Sequence, residues 1–262
     1  MAFFEFNALS VVMGGSFAAR VFVPEMDGLR LDDKEHNTKY PVLLLLHDSG
    51  GAAVDWQQTP AERCAAENGI FIIAPDVQHA LGTDMKYGPK YETFISGELL
   101  DICRNLFPIS RDPVYTWIGG VGTGAYGAVK TAIHHPEVFS KAISIDGVLD
   151  MGAIIKKALL GEETGILHDA ASLAAVFGEL NQFEGSANDL FALADQPARN
   201  KYLFLCREDD NRFGESIAIA DKLRIAAKFE KIPSGADYFS QQQSLPIAVR
   251  WAYTEKETVR NG

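Results

Sequence analysis

Cysteine is scarce in this 262-residue chain. There are three, Cys64, Cys103 and Cys206, an odd number at wide spacings. That fits neither a disulfide framework nor a zinc motif, so the thiols read as small buried hydrophobes in a reduced compartment. Long apolar runs are lacking too, since Val42 to Leu46 with its flanks falls far short of the ~20 residues that span a bilayer. The opening Met1-Ala-Phe-Phe-Glu-Phe-Asn has no basic start, long apolar centre or small-residue cleavage site, so the expectation is a cytoplasmic protein without a secretory leader. Positive charge is in deficit, with 24 basic against 35 acidic side chains and a net charge of -11. Nucleic acid and anionic membrane are therefore not expected partners. What remains is 47% hydrophobic and 23% charged, the balance of a globular protein.

The pattern along the chain sets the fold class. Phe3 to Leu9 and Phe17 to Val23, with Gly14-Gly15 between them, read as a hairpin. The polar stretch from Asp27 reads as a surface loop that Pro41 ends. Unalternating apolar runs then recur at Val42 to Leu46, Ile70 to Ala74, Val114 to Ile118, Phe139 to Ile145 and Tyr202 to Cys206. Such runs suit strands covered on both faces. Helical segments lie between and after them, at Trp56 to Asn68, Tyr91 to Phe107, Ala125 to His134 and Gly214 to Ala227. The alternation predicts one α/β domain over residues 1–262, a mostly parallel sheet flanked by helices. Residues 148–200 break it with short helical pieces at Ile154 to Leu160, Ala170 to Phe177 and Asn188 to Ala194. They are expected to form a helical lid insertion at the sheet edge.

Ligands of open parallel sheets bind at the carboxyl ends of the strands, which directs attention to two loops. The run Val114 to Ile118 leads into Gly119-Gly-Val-Gly-Thr-Gly-Ala-Tyr-Gly127 and a helix. One reading is a phosphate cradle, although Gly120, Gly122 and Gly124 lack the spacing of the dinucleotide fingerprint. The other is a nucleophile elbow, Gly-x-Ser-x-Gly, with Gly122 in the serine position. The upstream loop His47-Asp-Ser-Gly-Gly51 supports the elbow, because a His-x-x-Gly-Gly loop after a strand can donate a backbone N–H to an oxyanion hole.

These residues, with Trp56, Thr83-Asp84 to Tyr87-Gly88, Phe177-Gly-Glu179 and Cys206-Arg-Glu-Asp-Asp210, resemble in this order the esterase D and tributyrin esterase group of α/β-hydrolases, relatives of S-formylglutathione hydrolase. The resemblance implies an α/β-hydrolase fold and carboxylic ester hydrolysis by a serine, an acid after a late strand and a histidine in the last loop. Here the serine position is Gly122. The acid maps to Asp210, with Glu208 and Asp209 as other registers, and the histidine position is Asp237. The six histidines are His36, His47, His79, His134, His135 and His168, so none lies in the last segment. Loss of nucleophile or base alone costs roughly 10⁶ in kcat.

Backbone N–H groups of Ser49 and Thr123 are the expected oxyanion donors, and His47, Asp48 and His79 the expected pocket residues. Asp48 stands where the group usually has glycine and brings negative charge to a pocket meant for a developing anion. A side chain at position 122 is expected to restore about 1–3 kcal/mol of backbone strain. A metal site of His47, His79, Asp210 and Asp237 is permissible chemically but lacks ligand spacing, so neither metal nor cofactor is expected. His134-His135-Pro136 reads as a helix C-terminus, and Ser49, Ser144 and Ser234 as solvated or capping serines. The sequence thus predicts an esterase-like homologue without Ser or His of the triad, keeping a pocket for a small-molecule ligand or a protein partner. A weak short-acyl esterase is the alternative, and homo-oligomers are compatible. Asp48, Asp210 and Asp237 around one pocket would favour a neutral or cationic ligand.

Overall fold

A computed structural model describes residues 2–24, 39–166, 168–193, 200–207, 212–223, 227–232 and 237–254. Its centre is one eight-stranded sheet of order β1-β2-β4-β3-β5-β6-β7-β8. The hairpin forms from β1 (Ala2–Ser10) and β2 (Gly15–Val23), paired antiparallel from Ala2↔Val23 to Ser10↔Gly15. β2 also runs antiparallel to β4 (Phe71–Pro75). The other pairs are parallel: β3 (Val42–Leu46) between β4 and β5 (Thr116–Val121), then β6 (Lys141–Ile145), β7 (Lys201–Arg207) and β8 (Ala227–Ile232).

Every residue of β3, β4 and β6 is buried, as unalternating apolar runs require. Successive side chains point to opposite faces, so Leu44 and Leu46 join one core with Ile118, Tyr126 and Val129, and Leu43 and Leu45 join another with Trp117 and Leu203. The first core takes apolar residues from α3 (Leu99–Leu106), α4 (Thr123–His134), α5 (Met151–Leu159), α6 (Ala170–Phe177) and α7 (Arg212–Leu223). The second takes them from α1 (Ala61–Asn68) and α8 (Asp237–Thr254). All three cysteines are buried, and burial pushes the thiols of Cys64 and Cys103 up to about 11 and about 12.

Several boundaries differ from the sequence reading. The segment from Trp56 is two pieces, a 3-10 turn at Ala53–Gln58 and α1, because Pro60 interrupts the amide ladder. The stretch from Tyr91 passes through α2 (Tyr91–Thr93) and a π-helical turn at Phe94–Glu98 before α3. That turn carries Glu98, whose carboxylate accepts from Ser10 Oγ and from Val11 N at 2.8 Å, tying it to the β1–β2 turn. β5 begins at Thr116 after a 3-10 turn at Pro113–Tyr115, which brings Gly119 and Gly120 into the strand. Residues 188–192 are turn and loop rather than helix, and Ala194 lies outside the described residues. Residues 227–232 are an edge strand, not the end of a helix. The chain between β6 and β7 carries α5 and α6, with Asp150 and Asp169 as N-caps accepting from Ala153 N and Ser172 N. No helix of the described residues is long and apolar enough to cross a membrane.

Candidate active site

Two adjacent parallel strands deliver the site. β3 ends at Leu46 and β5 runs beside it, with Leu46 opposite Gly120, so the loops His47–Gly51 and Val121–Thr123 emerge together at their carboxyl ends. Close packing explains the glycines. A Cβ at Gly124 would sit 2.5 Å from Leu46 O and against His47 O, and one at Gly120 would overlap Gly124, so helix α4 could not lie this near β3 with larger residues. Gly122 joins strand to helix at φ 56°, ψ -119°, a region that L side chains rarely adopt. Its N–H donates to Ile145 O at 3.0 Å and its carbonyl accepts from Val148 N at 3.0 Å, fixing the turn to β6 and the segment beyond it.

The centre of the turn holds the Asp48 carboxylate. Asp48 Oδ1 accepts from Ser49 N, Thr123 N and Thr123 Oγ1, each at 2.8 Å. Ser49 N also lies 2.8 Å from Thr123 Oγ1, which closes a compact cluster at the positive N-terminal end of the twelve-residue α4. Both backbone donors read from sequence as an oxyanion hole therefore meet on one oxygen of one internal carboxylate. A Cβ at Gly122 would fall 2.5 Å from Asp48 Oδ2 and against Cγ and Oδ1, so the carboxylate fills the volume that a side chain at 122 would need. Asp48 Oδ2 takes no hydrogen bond from the described residues.

The other sequence-derived positions fall as follows. His47 is 3% exposed and turned inward, its Nδ1–H donating to Asp48 O at 2.8 Å and its Nε2 accepting from Val77 N at 3.0 Å. Both ring nitrogens are used, which makes it a brace between the β3 and β4 loops rather than a ligand-facing group. His79 is exposed and packs edge-on against His168 at 5.8 Å between ring centroids. Asp237 is the first residue of α8, while Glu208, Asp209, Asp210 and Ser234 lie outside the described residues. Ser144 is fully buried in β6. No cluster of three His, Cys, Asp or Glu suited to a metal occurs among the described residues.

Sequence reading missed a buried ion network beneath the elbow helix. Lys130, fully buried in α4, donates to Glu92 Oε2 at 2.7 Å, Thr83 Oγ1 at 2.8 Å and Asn188 Oδ1 at 2.9 Å. Tyr126 OH donates to Asn188 O at 2.6 Å, and Glu92 Oε1 lies 2.5 Å from His134 Nδ1. Burial alone would raise the Glu92 carboxyl, but hydrogen bonds and charge from His134 and Lys130 outweigh it and hold the group at about 2. Burial lowers Lys130. The network ties the elbow helix to the Thr83 loop and to the segment between β6 and β7. Its signal in the sequence was a single lysine inside the apolar stretch of α4. His134 therefore does more than end a helix. Asp146, just after β6, is likewise paired, with Arg207 Nε at 2.5 Å.

Two grooves open elsewhere, about 560 Å³ between Tyr87 and α6 and about 350 Å³ beside α5, and neither is lined by Asp48 or Gly122.

The sequence matches the family described as "Putative esterase" over residues 10–202. It is 25% identical over 226 residues to an acetyl esterase of Caldicellulosiruptor saccharolyticus, covering 80% of this chain and 82% of that one. Among solved structures it is similar to FphF, a fluorophosphonate-binding serine hydrolase of Staphylococcus aureus, with a TM-score of 0.84, 24% identity, and 96% and 98% of the two chains covered. It is also similar to the S-formylglutathione hydrolase FrmB of Staphylococcus aureus, with a TM-score of 0.81 and the same identity and coverage. The chain belongs to this esterase family and has the α/β-hydrolase fold.

Proposed function

We propose that this chain is an esterase-family homologue that does not hydrolyse esters and keeps a binding site for a small-molecule ligand or a protein partner at the carboxyl ends of β3 and β5. One observation carries the reading: Asp48 Oδ1 takes the N–H groups of Ser49 and Thr123 while Gly122 offers no nucleophile. Ester hydrolysis through an elbow needs an attacking oxygen at 122 and two donors left open for the carbonyl oxygen that becomes negative. Here the attacking oxygen is absent and the donors already hold a carboxylate. The mapped histidine position, Asp237, would add a carboxylate where a proton shuttle is needed. A short-acyl esterase is the second reading, favoured by the likeness to an acetyl esterase. Hydrolysis of p-nitrophenyl acetate and butyrate separates the two. The proposal expects no turnover above a heat-killed control, and a saturable rate lost on substitution of a residue near Asp48 would overturn it.

A further inference from the structure

The donors of the elbow are consumed by an internal carboxylate, and that carboxylate is only half used. Oδ1 accepts three hydrogen bonds, whereas Oδ2 accepts none from the described residues and lies in the space that a side chain at Gly122 would take. Asp48 is partly exposed, at the carboxyl ends of β3 and β5. What the site presents is therefore the reverse of an esterase pocket: an acceptor with negative charge in place of two N–H donors. At Oδ2 an incoming carboxylate, phosphonate or acyl oxygen meets like charge, and the amides of Ser49 and Thr123 are already bonded to Oδ1. A ligand carrying N–H groups and positive charge finds a fixed partner whose orientation is set by three bonds before it arrives.

A second acceptor is held by the loop after β4, whose Val77 N–H donates to His47 and whose His79 carbonyl accepts from His168. His168, 4% exposed, donates from Nε2 to His79 O at 2.8 Å, which leaves Nδ1 as a lone-pair acceptor, buried and without a partner among the described residues. Burial holds this imidazole below its usual range, and the charge of Asp48 acts on it in the opposite direction.

Resting on the reading that the pocket is retained for a ligand, we infer that Asp48 sets its specificity. The carboxylate closes the oxyanion hole to anions and acyl oxygens and turns the elbow into a seat for a small primary or secondary ammonium group. A hydrogen bond to a charged partner supports a discrimination of about tenfold or more.

The test uses two probes of equal length and opposite charge, butylammonium chloride and sodium butyrate, titrated into the whole protein at one ionic strength and pH 7. Calorimetry and the amide resonances of Ser49 and Thr123 are followed. The wild type is expected to bind butylammonium at least about tenfold more tightly than butyrate. Asp48→Asn, of nearly the same shape, is expected to lose that preference, and Asp48→Gly to reverse it, with butyrate shifting both amides. Equal affinities in the wild type, tighter butyrate, no binding of either probe, or an unchanged preference in Asp48→Asn would each overturn the inference. Should Asp48→Gly not fold, the Asn variant decides alone. p-Nitrophenyl butyrate turnover is recorded on the same samples. Turnover with the ammonium preference intact removes only the non-catalytic reading, and absence of both removes only this one.

Discussion

Introducing the missing serine alone is expected to damage the protein, and the size of the damage depends on residue 48. Gly122→Ser places a side chain on a backbone at φ 56°, ψ -119°, a strain of about 1–3 kcal/mol. It also drives Cβ into the Asp48 carboxylate, an overlap of the kind that costs about 1–3 kcal/mol in a packed site. Together they predict a loss of about 2–6 kcal/mol, or several degrees in Tm at about 2–4 °C per kcal/mol for a domain near this size. In an Asp48→Gly background the overlap disappears and only strain remains, so the same substitution should cost about 1–3 kcal/mol. The assay is a double-mutant cycle by urea denaturation, comparing wild type, Gly122→Ser, Asp48→Gly and the pair. A coupling of about 1–3 kcal/mol in favour of the pair is expected. Additive effects would refute the claim that Asp48 occupies the serine's place, and so would a Gly122→Ser protein as stable as the wild type.

Further outcomes follow from the same contacts. Lys130→Met leaves the buried Glu92 carboxylate with His134 as its partner and should lower stability by about 1–3 kcal/mol, and Lys130→Met with Glu92→Leu should recover part of it, both read from urea midpoints. Glu92 has its folded carboxyl at about 2, below the 4.5 of an ordinary glutamate, so its stabilisation is complete above pH 4.5 and is lost as pH falls towards 2. The stability gap between wild type and Glu92→Gln should therefore narrow by about 2–3 kcal/mol over that interval, and a constant gap would contradict the assignment. Gly124→Ala pushes Cβ onto Leu46 O and His47 O, and is expected to cost at least about 1–3 kcal/mol and lower Tm in differential scanning calorimetry. Restored ester hydrolysis is expected from Asp48→Gly, Gly122→Ser and Asp237→His together, and not from the last two alone, measured with p-nitrophenyl butyrate.

Much of the fold was legible because its central strands announce themselves. Val42–Leu46 and Phe71–Pro75 are apolar throughout and buried throughout, which only a sheet covered on both faces explains. The edge was not legible. Ala227–Ile232 interleaves lysine and glutamate with apolar residues and is half open to water, so its signal is weak and its sheet partner lies some 25 residues back in β7. At the site, the glycine frame and the donors Ser49 and Thr123 could be placed by local pattern. Asp48 could be recognised as a misplaced charge, but its partner is 75 residues away, and the meeting depends on the β3–β5 register. Lys130 and Glu92 were missed for the same reason, since a lone lysine in a helix reads as solvated until the layer that buries it is known.

The central claim is that the elbow holds no nucleophile and that its donors are already occupied. Its most direct test is exposure of the wild-type protein to a reactive fluorophosphonate, followed by intact-mass measurement. An unmodified chain is expected under conditions that label an active serine hydrolase to completion. A stoichiometric phosphonyl adduct on any residue of the 47–51 or 120–124 loops would contradict it.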